Sequence, residues 1–397
     1  MPTKPDVPPD AQRRHELIAA IEKMRSSKVV VCFLGDRQGA QAQIAEDSVR
    51  PMYDHLRAIG HTDKIDLFLY SVGGHIEVPW RIVTMIRQFA EEFDVLVPYK
   101  AMSAATLIAL GADEIVMGRK GELGPIDPKL SIQRGREGET TVQEEVAVED
   151  IMSYLRFLRD KAGLSDQTAL VGPVSALAEK LSPWVLGGLN RAHSHIRSIA
   201  RKLLMARSKQ QSIDEQKIQV IVETLAEKTY QHGHAIGRQE ADEIGLKVAT
   251  PSDPLESTMW QLFEEYEDLT RLRQPIDPRT FVPSQQEEHI ERLVMGCIES
   301  VSLAHHFSAD LKGRVKRQVP PQLVLNVNLN LQLPANIQPQ QLPVAAQQVI
   351  QQMMQQLQQQ VQSITQQQVR DQMPVIGLEA GIQDGAWRRL TDWPVTP

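Results

Sequence analysis

Residues 97–118, "VPYKAMSAATLIALGADEIVMG", carry one serine, Ser103, inside an otherwise apolar and small-residue run. The stretch reads as the end of a strand, a tight turn, a helix opening near Ser103, and a further strand, "DEIVMG". A serine in the first turn of a buried helix can bond its own backbone, and small neighbours let two elements approach closely. The same place also suits chemistry. A hydroxyl at a helix N-terminus sits beside backbone N–H groups that stabilise a developing oxyanion.

Outward from this stretch, strand and helix alternate. "KVVVCFLG" is short, β-branched and continuously apolar, as a buried strand should be, and "KIDLFLYSVGG" is a second strand that breaks at Gly73 and Gly74. "HIEVPWRIVTMIRQFAEEF" sets Ile76, Trp80, Val83, Ile86 and Phe89 at helical spacing, with Pro79 near its start, and "DVLVPYK" is a third strand. Asp10 can cap a helix running to about Met24, and residues 48–60 also read as a helix. Such alternation predicts an α/β layer with parallel strands, whose ligand sites lie beyond the carboxyl ends of those strands. The Gly-Gly turn and Ser103 both occupy strand-to-helix junctions, so adjacent strands would bring them to one edge.

Past Gly118 comes the turn-rich "GELGPIDPKLSIQRGREGET", then helical patterns over residues 145–162 and 168–207. A further helix leads into the histidine-containing turn "YQHGHAIGRQEA" and a short helix ending at Gly245. Leu255, Met259, Leu262 and Tyr266 mark another helix, and a proline-rich bridge, residues 275–283, precedes a helix expected from about Gln285 to Lys312. "QLVLNVNLNLQL" alternates strictly and wants a partner sheet or subunit. In the Gln-rich run 347–368, Ile350, Met354, Leu357, Val361 and Ile364 form an a/d seam suited to an oligomer-forming helix. The expected organisation is an N-terminal arm and helix (1–27), a main α/β domain (28–250), a helical extension (251–318), and an interaction tail (319–397).

The chain has 397 residues, 43 basic and 50 acidic side chains and a formal charge of −7, so no general attraction to nucleic acid is expected. Two cysteines, Cys32 and Cys297, give no disulfide framework. The polar, proline-rich "MPTKPDVPPDAQRR" is unlike a signal peptide, and no apolar run reaches the roughly 20 residues that span a bilayer. A soluble cytoplasmic protein without an integral membrane segment is the expectation.

"YSVGGHIEVPWRIVTMIR", "YKAMSAATLIALGADEIVMG" and "ELGPIDPKL" resemble the serine dehydrogenase proteinase family, within the Clp-fold serine proteases that include signal peptide peptidase A and the Clp proteolytic subunit. The resemblance extends through "LAEKTYQHGHAIGRQEADEIGL" and covers approximately residues 28–270. It implies a crotonase-like, Clp protease-type ββα superhelix, here followed by C-terminal helices, a β-strand and the Gln-rich helical tail. By motif match Ser103 is similar to the nucleophile, the Gly73-Gly74 turn and Ala104 to the oxyanion hole, and a ring or stack of identical subunits is implied. The implied activity is ATP-independent hydrolysis of a peptide or protein substrate.

The chain departs from the Clp proteolytic subunit at the base. Where that family has a histidine, this sequence reads "GPIDP", with Ile126 and Asp127. Signal peptide peptidase A uses a lysine, for which Lys129, Lys161 and Lys180 are the candidates here; Lys129 stands closest to the strand that should line the cleft. A buried lysine serves as a base once desolvation lowers its pKa. His232 is the other candidate, since an ordinary histidine already titrates near neutrality, although His232 and His234 also read as a plain loop pair. Glu77, Trp80 and Asp127 are further candidates for the cleft lining. His193 and His195, two residues apart on a helix, point to different faces, and His305-His306 is equally poor as a site, so no metal is expected. No nucleotide or other cofactor motif occurs. "KAMSAA" is not a Gly-x-Ser-x-Gly elbow, against an α/β-hydrolase. Two rival readings are a crotonase-type acyl-CoA enzyme, which shares the oxyanion hole without needing a nucleophile, and a catalytically inactive Clp-fold scaffold.

Overall fold

In the computed structural model, which describes residues 9–127, 129–134, 142–164, 166–207, 214–228, 234–283, 286–318 and 344–394, helix α1 (Pro9–Arg25) leads into strand β1 (Lys28–Leu34). All but the first residue of β1 are buried, which is why it is apolar on both faces instead of alternating. The small hairpin β2 (Asp36–Arg37) and β3 (Ala40–Gln41), helix α2 (Val49–Ile59) and strand β4 (Thr62–Tyr70) follow. Next come α3 (Val78–Ile86), β5 (Ala90–Val97), β6 (Lys100–Ala101), α4 (Ala104–Leu110), β7 (Glu114–Met117) and β8 (Glu122–Leu123). A hairpin of β9 (Lys129–Arg134) and β10 (Val142–Ala147) opens onto three helices, α5 (Val148–Asp160), α6 (Gln167–Lys180) and α7 (Pro183–Met205). Ser182 caps α7 by accepting the Val185 N–H, with Pro183 at its first position, which separates two helices within the predicted 168–207 span.

The chain continues through α8 (Glu215–Glu223), β11 (Ile236–Gly237), α9 (Arg238–Ile244), β12 (Val248–Ala249), α10 (Asp253–Leu269) and α11 (Pro278–Phe281). Gly245 ends α9 in the left-handed region at φ +100°. Then come β13 (Glu288–Glu299), β14 (Ala304–Arg317), α12 (Val344–Gln372) and β15 (Val375–Arg389).

The main sheet runs β12-β7-β5-β4-β1-β13-β14-β15. Its first five strands are mutually parallel, and β13 joins β1 antiparallel, with Val31 opposite Glu299. On one face Val29, Val31 and Phe33 of β1 pack with Ile18 and Ile21 of α1 and Met259, Leu262, Phe263 and Tyr266 of α10. Helices α2, α3, α4 and α7 form a second contiguous group.

Two expectations are corrected. The helix foreseen across residues 75–93 stops at Ile86, because residues 90–93 extend β5 into register with β4, Thr62 opposite Ala90 and Ile65 opposite Phe93. Residues 288–299 and 304–317 are strands where a helix was expected from Gln285 to Lys312, so the 251–318 extension is not wholly helical. Addition beside β1 buries both faces of the last residues of β13, which erases the alternation that identifies a half-buried strand. The Gln-rich run lies in α12, β15 was not foreseen, and the alternating "QLVLNVNLNLQL" lies outside the described residues.

The chain forms two compact units, one of residues Met1–Ile276, Arg292–Asp310 and Ile382–Pro397, the other of Asp277–Glu291 and Leu311–Gly381. The first holds the parallel strands and every described candidate site residue. Within the second, Gly313 leaves room for Phe281, whose ring would stand 2.6 Å from an added Cβ, and Lys312 pairs with Glu288 at 2.7 Å.

Candidate active site

The site begins where β4 and β5 end. Ser71 extends the β4 ladder by one step: its N–H donates to the Lys100 carbonyl at 3.0 Å and its own carbonyl accepts the Met102 N–H at 2.9 Å. That bridge draws the Gly-Gly turn after β4 to the serine turn after β5. On its other flank the turn is held by Ile44, whose N–H donates to Gly73 O at 2.9 Å and whose carbonyl accepts the His75 N–H at 2.8 Å.

Both glycines are required by close approach. A Cβ on Gly74 (φ +153°) would lie 2.1 Å from Ile44 O, and one on Gly73 (φ +120°) would lie 2.8 Å from Ser103 Cβ. The same point is 3.2 Å from Ser103 Oγ, so the turn and the serine are in direct contact. The Gly73 N–H donates to Ser71 Oγ at 3.1 Å. Neither the Gly74 nor the Ala104 N–H has an acceptor among the described residues.

Ser103 itself has φ +52° and ψ −113°, immediately before α4, and makes no side-chain capping bond. The backbone-bonding explanation for this serine therefore fails. A non-glycine residue in that region costs about 1–3 kcal/mol and persists only where surroundings over-determine it. Here α4 is buried at every residue from Ala104 to Leu110, and Leu107 N–H bonds Ser103 O at 3.1 Å. The half-buried Ser103 hydroxyl has no hydrogen-bond partner among the described residues.

Strand β8 lies beside β6, Ala101 opposite Leu123, and β11 pairs on its other side, Ile236 opposite Leu123. The segment "AIGR" thus returns to the strand next to the serine turn. His232 lies outside the described residues. His234 is exposed, with Nε2 2.9 Å from a Glu240 oxygen. Lys129 opens β9, but its side chain is outside the described residues; Lys161 and Lys180 are exposed at the ends of α5 and α6. Asp127 is buried and accepts the Glu149 N–H at the start of α5 at 3.3 Å. Burial pushes its carboxyl up to about 7, Glu149 and Asp150 add to the rise, and the Glu149 N–H and Arg197 oppose it. Glu77 is exposed at the start of α3, and Trp80 is half-buried with Lys202 Nζ 5.9 Å from its ring centre.

Two nearby features escaped the sequence reading. Lys100, three residues before the serine, is held by Asp36 at 2.8 Å, and Asp36 also accepts the Tyr70 hydroxyl at 2.7 Å. Ile44 stands in a stretch with no motif. Only the fold discloses that its backbone grips the turn.

A separate buried cluster gathers His305 and His306, which the sequence left without a role. Arg14 donates to both oxygens of Glu299 at 3.0 Å, Tyr266 donates at 2.5 Å, and His306 Nε2 lies 2.8 Å away. Cys297, Glu299 and His306 bring potential ligand atoms within 4.8 Å, but the glutamate oxygens are already engaged by a guanidinium. His55 contacts Ser300 Oγ at 2.8 Å and His305 at 3.1 Å.

Residues 10–148 match the family model of the ClpP-like SDH-type serine proteinases. The chain is 27% identical over 232 residues to an uncharacterized protein of Methanocaldococcus jannaschii, covering 58% of this chain and 68% of that protein. A second uncharacterized protein of the same organism is 24% identical over 246 residues, 60% of this chain and 72% of the relative. Among solved structures, ClpP1 of Listeria monocytogenes matches 59% of this chain and 99% of its own at 14% identity and a TM-score of 0.31. The 1510-N membrane-bound stomatin-specific protease in complex with a substrate peptide matches 54% of this chain and 74% of its own, at 15% identity and a TM-score of 0.31. Among the described residues no helix is long and apolar enough to cross a membrane.

Proposed function

We propose, from the match of residues 10–148 to the ClpP-like SDH-type serine proteinase model, that the chain is an ATP-independent serine peptidase with Ser103 as nucleophile. The observation that carries this reading is Ser103 at φ +52°, its hydroxyl unengaged among the described residues and in contact with a turn whose Gly74 N–H is unengaged in the same sense. Ser103 Oγ attacks the peptide carbonyl, and the Gly74 and Ala104 N–H groups take the negative charge of the tetrahedral intermediate. Collapse expels the amine, and water hydrolyses the acyl-enzyme. A serine hydroxyl needs a base, and Lys129 or His232 is assigned that role: one opens β9 after the "GPID" segment, the other precedes the β11 return by four residues. Assembly into a homo-oligomer and a peptide or protein substrate complete the proposal.

A fluorophosphonate probe followed by intact-mass analysis tests it. One adduct is expected on the folded wild-type protein, mapping to Ser103, with none on Ser103→Ala, and peptidase activity should fall at least about 10³-fold in that variant. Absence of an adduct on a folded wild-type protein overturns the reading. Activity retained by Ser103→Ala would point instead to acyl-CoA chemistry.

A further inference from the structure

We infer that Thr106 is a positioning residue for the Ser103 turn, acting through Gly124. This rests on the reading of Ser103 as the nucleophile. Thr106 lies in α4, one turn into the helix that Ser103 opens, and is completely buried. Its hydroxyl is 2.7 Å from the Ala101 carbonyl and 2.9 Å from the Gly124 carbonyl, and it accepts the Gly124 N–H at 3.0 Å. One side chain therefore joins three segments: the strand that enters the serine turn, the helix that leaves it, and the chain just beyond β8.

A threonine in a helix ordinarily bonds its hydroxyl to a carbonyl one turn back in its own helix. Thr106 instead reaches Ala101, which lies before the turn, so the bond spans Met102 and Ser103. That closure matches the strain. Ser103 sits in a backbone region that a serine leaves unless held, and the loop must be fixed at both ends to keep it there. Gly124 supplies the second half of the device. A Cβ there would stand 2.7 Å from Met102 Sδ and 3.2 Å from Met102 Cα, so the segment after β8 lies directly against the residue preceding the serine. Removing the hydroxyl would also leave the Gly124 N–H without its acceptor in the interior, which pushes that segment away from Met102. The result is a loosened Ser103 while the apolar surface of α4 stays the same.

The test compares wild type with Thr106→Val, which keeps the shape and loses the hydroxyl, and Thr106→Ser, which keeps the hydroxyl. Saturable fluorophosphonate labelling separates probe binding from the bond-forming step. The valine variant should show that step slowed at least about 10-fold at unchanged half-saturation, and the serine variant should stay within about 2-fold of wild type. Hydrogen exchange gives a readout independent of chemistry: the Ala105 N–H, bonded to Met102 O at 2.9 Å, should lose protection in the valine variant, with amides of β1 and β4 unchanged. Normal labelling and normal Ala105 protection in Thr106→Val would overturn the inference and leave the peptidase reading intact. Loss of Ala105 protection in Thr106→Val, with a wild-type protein that never labels, would support the positioning role and remove the nucleophile. If Thr106→Val does not fold, Thr106→Ala against Thr106→Ser supplies the same contrast.

Discussion

A methyl group on Gly74 has nowhere to go, because the Ile44 carbonyl and amide occupy its place. Gly74→Ala should cost at least about 1 kcal/mol in urea denaturation, since the residue sits at φ +153° and the obstruction is backbone instead of a flexible side chain. Gly73→Ala is expected to act differently. The obstruction there is Ser103 itself, so labelling at Ser103 should fall further than stability does, and equal losses in both would count against the contact. Ser103, Gly73 and Gly74 were legible from sequence because a Gly-Gly break and a lone serine stand out in apolar surroundings. Thr106 and Ile44 were not, for Thr106 acts partly through Gly124 and Ile44 through Gly73 and His75, residues of other segments, and neither residue type signals that.

At the scale of elements, Asp127 joins the strand-side chain to the start of α5. Its carboxyl is raised in the folded protein by burial first, from an ordinary 3.8 to about 7. A raised acid pKa means that stability is fully present below about 3.8 and is lost as pH rises through about 7. Asp127→Asn should therefore raise the melting temperature more at pH 8 than at pH 5, as thermal scans at the two values would show. An equal gain at both would mean the carboxyl is not raised. For α12, Met354 and Ile364 of the seam are 57% and 46% exposed in the single chain, which fits the proposal of an oligomer-forming helix. Met354→Asp with Ile364→Asp should shift sedimentation velocity toward a smaller species. The seam was visible because helical periodicity survives exposure. The end of β13 was not, because burial on both faces leaves an apolar run that strand and helix share.

The whole molecule closes its sheet with residues drawn from both ends of the chain. Trp393 is buried, donates its indole N–H to Ser300 O at 2.8 Å, and lies 5.6 Å from the Arg14 guanidinium. Trp393→Ala should cost ~3–5 kcal/mol, read from denaturant midpoints. Beside it, burial first and then His305 lower His55 from 6.5 to about 3, so its contribution to stability is complete above 6.5 and is lost as pH falls toward 3. Glu299 behaves otherwise at lower pH: burial alone would raise it, but Arg14 and His306 lower it from 4.5 to about 2, so its contribution is complete above 4.5 and is lost as pH falls from there through about 2. The parallel half of the sheet was readable because each strand adjoins a helix close in sequence. The seating of β13 depends on β1, a strand from the far end of the chain, which no local pattern reports.

That closure also orders events during synthesis. A ribosome adding about 5–20 residues per second completes α1 and the parallel strands well before β13 exists. Arg14 must then wait for Glu299, and both must wait for Trp393, so the Arg14 side of α1 is the part of that helix the growing chain leaves uncovered longest. Chaperone binding sites, if mapped on stalled nascent chains, should cluster there.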